Sequence, residues 1–148
     1  MNHVRTTLMA GLLVLTVASA SGAQAPLSAD ALKRKATNIV SGTVVDVAVT
    51  TQKAKLESER GLFSRDRIFT IKLRVSNVSK GKAVKAGEEI TIEAWQAHRR
   101  PPWHAGPQGH GNIPDKDDKI TVYLKDKEGK VYSTIPPNGI LINPLITP

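Results

Sequence analysis

Apolar and polar residues alternate at three places along the chain. In RIFTIKLRVSNV, Phe69, Ile71, Leu73 and Val75 alternate with Thr70, Lys72, Arg74 and Ser76, the two-residue period of a strand that buries one face. EEITIEAW repeats the pattern, with Ile90, Ile92 and Ala94 inward and Glu89, Thr91, Glu93 and Trp95 outward. KITVYLKD repeats it again, with Ile120, Val122 and Leu124 set against Thr121, Tyr123 and Lys125. NIVSGTVVDVAVT differs, because Ile39, Val40, Val44, Val45, Val47 and Val49 place β-branched residues on both faces, as in a strand buried within a curled sheet. Gly42 in its middle marks a bulge or a sharp bend. KVYSTI, reached through the KDKEGK turn, supplies a fifth strand.

The connections carry their own signals. LSADALKRKATN offers Ser28 as an N-cap, Asp30 in the first turn and Lys33, Arg34 and Lys35 at the end, where each complements the helix dipole. TQKAKLESERGLFSRD reads as a long polar hairpin loop, SKGKAVKAG as a turn, and 97–118 as a long loop. Residues 135–148 read as an irregular tail with a turn signal at Asn138-Gly139. The predicted fold is mainly all-β, a small five-stranded antiparallel OB-like barrel with one short N-terminal helix, an arrangement that leaves few exposed edges.

Over Ile39 to Leu124 the chain resembles exported OB-fold domains related to the netrin-like modules of metalloproteinase inhibitors. IVSGTVVDV, FTIKLRVSNVSKGKAVKAGEEITIEAW and DKITVYLKD carry the resemblance: a G-x-V strand, a strand running into V-x-K-G, a G-E-x-I strand and a later D-K-I strand. It implies a barrel fold rather than an activity. Inhibitors of that family use an N-terminal cysteine and disulfides, and this sequence contains no cysteine, so inhibition by that route is not implied.

MNHVRTTLMAGLLVLTVASASGA has a basic head at Arg5, an apolar run from Leu8 to Ala18 and small residues after it, which predicts a signal peptide over 1–23 cleaved after Ala20 or Ala23. The run is about half of the ~20 apolar residues needed to cross a bilayer, so the mature chain is expected to lack a transmembrane segment. Residues 24–148 then form one domain of an exported protein, periplasmic or extracellular. Without cysteine, neither disulfides nor thiolate metal sites contribute. The chain has 21 Lys and Arg against 13 Asp and Glu, a net charge of +8. An exported basic protein meets anionic glycans and envelope proteins rather than nucleic acid, and aromatics at 4% are too few for a base-stacking surface.

The stretch AHRRPPWHAGPQGHGNIP carries His98, His104 and His110, the only imidazoles outside the leader. Three imidazoles suit zinc or copper in a cysteine-free protein. Against that, Arg99 and Arg100 adjoin the first, the spacing matches no compact ligand pair, and no carboxylate lies within the stretch. The same arginines offer planar forks for carboxylate, sulfate or phosphate, and Trp103 offers a flat face for a sugar ring or a lid for the barrel's end. A second basic feature runs from Arg65 to Lys85, where Lys72 and Arg74 face outward beside Trp95. There, pairing with Glu89 and Glu93 across strands competes with a polymer-binding role. No G-x-S-x-G, H-E-x-x-H or phosphate-loop motif occurs, and Asp115, Asp117 and Asp118 lack the twelve-residue calcium-loop pattern. The expected function is therefore non-catalytic: an envelope binding module for an anionic polymer or protein, without cofactor, acting through residues 97–114. The alternatives are a zinc or copper protein using the three histidines, and a purely structural module.

Overall fold

The computed structural model describes residues 24–54, 63–101, 103, 106–129 and 131–143; the signal peptide expected over 1–23 lies outside the described residues. One short helix, α1 (Ala29–Lys35), precedes β1 (Asn38–Lys53), β2 (Arg65–Lys80), β3 (Glu89–Arg99), β4 (Lys119–Glu128), β5 (Val131–Thr134) and β6 (Ile140–Ile142). The sheet order is β1-β2-β3-β5-β4, and β1 pairs again with β4, so five strands close into a barrel-like ring. All pairings in the ring are antiparallel except β3 with β5, which is parallel. Among the described residues no helix is long and apolar enough to cross a membrane.

The ring closes over the predicted inward set. Ile71, Leu73, Val75, Ile92, Ala94, Ile120, Val122 and Leu124 are all buried in one cluster with Val40 and Val44. Each alternating strand contributes one face to it. Gly42 sits at a register shift between β1 and β2. A Cβ there would stand 2.1 Å from the Arg74 carbonyl oxygen, so the bend needs the glycine for its close approach.

A second, smaller cluster explains the apolar residues on the other side of β1 and β4. Leu32 of α1 and its C-cap residue Ala36 pack on Ile39, Tyr123 and Ile135, which leaves Tyr123 7% exposed where the alternation placed it outward. The helix is too short to persist alone. Ser28 caps its start by accepting from the Ala31 N–H at 3.2 Å, and Lys80 Nζ donates to the Lys33 and Ala36 carbonyls at its end, both at 2.6 Å. Asn138 clamps Leu27, accepting from its N–H at 3.0 Å and donating to its carbonyl at 2.8 Å.

Three expectations are corrected. The polar stretch after Thr50 is not all loop: β1 continues to Lys53 and β2 begins at Arg65, paired residue for residue. The 97–118 loop begins only after Arg99. The C-terminal segment is not irregular throughout, because Ile140–Ile142 pairs with Ile120–Val122 as β6, on the side of β4 away from β1. The order in the tail comes from the open edge of β4 that it covers.

Candidate anion-binding surface

Beyond the ring, β1, β2 and β3 continue as a three-stranded extension. Its rows follow from the register: Val49–Phe69–Ala94, then Thr51–Arg67–Gln96, then Lys53–Arg65–Arg99. Residues paired across strands share a face, which sets Lys53 beside Arg65; the β2–β3 register shifts between Arg65 and Asp66, and Phe63 rather than regular pairing brings Arg99 to Arg65. Phe63 marks the end of that row. The guanidinium carbons of Arg65 and Arg99 each stand 5.4 Å from the centre of its ring, which keeps them within twice that distance of one another. Phe63 is itself 57% exposed. Lys53, Arg67 and Arg99 are exposed and Arg65 half-buried. Among the described residues no carboxylate pairs with any of the four; Glu57 and Glu59 lie outside the described residues.

Asp66, the acid nearest in sequence, is taken by Arg100. That guanidinium pairs with Asp66 Oδ1, donates to the Arg65 carbonyl at 2.7 Å and reaches the Pro107 carbonyl at 3.4 Å. The two side chains are 9% and 15% exposed. Arg100 is therefore a latch that ties the loop to β2, and its expected role as an anion fork is corrected. Arg99, next to it in sequence, is exposed and has its guanidinium over the Phe63 ring.

The histidine loop folds back along β3. Ala97 N–H donates to the Gln108 carbonyl at 3.0 Å, His110 N–H donates to the Trp95 carbonyl at 2.8 Å, and Gln96 and Gly109 form a β-bridge. Gly109 has φ +79°, and a Cβ would meet the Trp95 carbonyl oxygen at 2.2 Å, so only glycine lets the loop lie this close. His110 is 3% exposed. Its Nδ1 accepts from the Trp95 N–H at 3.1 Å, and its Nε2 stands 3.3 Å from the Thr134 carbonyl. We assign the proton to Nε2, the tautomer that satisfies both bonds. Burial in this site lowers the imidazole's pKa from its ordinary value, against the smaller opposing effect of the Trp95 and Thr134 carbonyls, which stand 3.1 Å from Nδ1 and 3.3 Å from Nε2 and favour the protonated ring.

The other expected site residues separate. His98 is exposed, His104 lies outside the described residues, and His110 has both nitrogens engaged. Among the described residues no group of three His, Asp or Glu is placed to hold a metal. Trp103 is 79% exposed, which corrects the lid alternative. Lys72, Arg74 and half-buried Trp95 share the opposite face of β2 and β3 from the cationic row. Arg74 faces Glu89 at 3.8 Å, the expected cross-strand pair, while Glu93 stands opposite Thr70. Between α1 and the barrel lies a cleft of about 690 Å³ lined by Lys33, Arg34 and Lys80 over Ile39, Thr121 and Tyr123. Its cations sit at the carbonyl end of the helix, which accounts for them.

Lys53, Arg65, Arg67 and Phe63 carry the surface, and none was singled out as a site residue from the sequence. Arg65-x-Arg67 was the available signal; the register that adds Lys53 and Arg99 was not. No protein-family model, curated protein or solved structure matches the chain.

Proposed function

We propose that the protein is a non-catalytic binding module that takes an anionic partner on the row formed by Lys53, Arg65 and Arg99, with Arg67 beside it. The observation that carries this is the row itself, three cations brought together on adjacent strands with no carboxylate among the described residues to relieve them. Like charges directly opposite destabilise a sheet, so an anion seated on the row relieves that repulsion. Arginine forks bind carboxylate, sulfate or phosphate through two parallel hydrogen bonds. The signal-peptide pattern supports an exported protein that meets anionic glycans or acidic proteins at the envelope. The resemblance to netrin-like modules adds no activity to this reading.

The test is calorimetric titration of the residue 24–148 protein with heparin at two salt concentrations. Wild type is expected to bind, more weakly at the higher salt. The K53A/R65A/R99A variant is expected to lose at least about tenfold in affinity with little change in urea midpoint, whereas K72A/R74A binds as wild type does. Equal binding by the triple variant and wild type overturns the proposal.

A further inference from the structure

The two edges of the three-stranded extension are treated differently by the fold. On the β3 side the chain covers its own edge with residues 106–110, through the Ala97, Trp95 and Gln96 contacts described above. The β1 side is open. β1 pairs with β4 only from Asn38 to Thr43, and the Val44 N–H and carbonyl are taken by Asp118 and Asp117 at 2.9 Å each. From Asp46 to Lys53 the far edge of β1 has no backbone partner among the described residues, while its near edge pairs with β2 without a break.

Open edges in stable proteins are ordinarily blunted by proline, a bulge, a central lysine or a covering loop. Asp46–Lys53 reads Asp-Val-Ala-Val-Thr-Thr-Gln-Lys: no proline, no register shift after Asp46, β-branched residues at its centre and a cation only at its far end. Val49 at the middle is 56% exposed. Such an edge is a template for an added strand, in which backbone hydrogen bonds give affinity and flanking side chains give selectivity. Here the flanking chemistry is the Lys53–Arg65–Arg99 row at one end of the edge.

We infer that the anionic partner is an extended acidic polypeptide segment that adds as a strand to β1 between Asp46 and Lys53, its carboxylates lying at the Lys53 end. The inference rests on the anion-binding reading above and deepens it from anion to acidic peptide. An acidic polysaccharide satisfies the cations but has no row of alternating N–H and carbonyl groups at strand spacing. A peptide covering the open edge runs about 26 Å, at ~3.3 Å per residue.

The test uses a capped synthetic octapeptide of alternating Thr and Val with a glutamate-rich end, titrated by fluorescence anisotropy against the residue 24–148 protein. Two further forms of the peptide are N-methylated at alternate residues, one form for each edge. The peptide is expected to bind and to slow hydrogen exchange along Asp46–Lys53. One N-methylated form is expected to lose at least about tenfold in affinity while the other does not. A form with lysine in place of glutamate is expected not to bind. Val49→Pro and Thr50→Pro are made as a pair, because one of two adjacent residues directs its N–H outward and tolerates proline. The variant that keeps a near-native urea midpoint is expected to lose the peptide and keep heparin. Equal binding of both N-methylated forms, or retention of the peptide by the folded proline variant, overturns strand addition and leaves the anion-binding reading intact. Loss of neither ligand in K53A/R65A/R99A removes that reading and this inference with it. A peptide-free dimer that the proline variant abolishes assigns the edge to a second copy instead and also overturns it.

Discussion

Replacing Arg100 with alanine separates two residues that are chemically identical and adjacent in the chain. The truncation removes the partner of Asp66, whose side chain is 15% exposed, and the donors to the Arg65 and Pro107 carbonyls. Breaking a fully buried ion pair costs about 3–5 kcal/mol, and breaking an exposed one costs about 0.2–1 kcal/mol. With exposures of 9% and 15%, the Arg100 pair lies nearer the buried limit, so we expect R100A to lose roughly 2–3 kcal/mol. In urea, at a slope of about 2 kcal/mol/M, that lowers the unfolding midpoint by about 1–1.5 M. R99A removes an exposed side chain stacked on Phe63 and is expected to cost about 0.5 kcal/mol or less. R100K keeps the charge but not the fork, so it falls between them. A double-mutant cycle with D66A is expected to return a coupling of at least about 1 kcal/mol. Indistinguishable midpoints for R99A and R100A, or no coupling to Asp66, would refute the latch.

The remaining expectations concern pH, backbone approach and surface charge. His110 has a lowered pKa in the fold, so on acidification the unfolded chain takes up a proton first. Stability is full above the unfolded value of about 6.5 and falls below it by up to about 1.4 kcal/mol per pH unit, until the folded imidazole also protonates. Urea midpoints between pH 7 and 5 measure this slope, and a slope surviving in H110A would show that another group is responsible. G42A sets a Cβ 2.1 Å from the Arg74 carbonyl oxygen and is expected to cost more than about 2 kcal/mol in thermal or urea unfolding; a near-neutral result would mean that β1 and β2 are not this close. R74A breaks a 3.8 Å pair whose side chains are 69% and 47% exposed, so its unfolding free energy from urea titration is expected to stay within about 0.5 kcal/mol of wild type.

The sequence by itself determined the inward faces of β2, β3 and β4, because a strand with one buried face must alternate and Ile71, Leu73, Ile92, Val122 and Leu124 do. It also determined the Ser28 cap and the bend at Gly42, both set by local geometry. Only the tertiary structure decided the outer reach of the strands. Thr51–Lys53 and Arg65–Arg67 lie beyond the core, so no apolar period marks them, and they are strand because they pair with each other. It likewise decided that Tyr123 lies under α1, that Ile140–Ile142 completes the edge of β4, and that Arg100 is spent on Asp66 while Arg99 joins Arg65 and Lys53. Those outcomes depend on which residues stand opposite one another on neighbouring strands. Cross-strand register joins positions far apart in the chain, and the periodicity of a single strand carries no record of its neighbour's register.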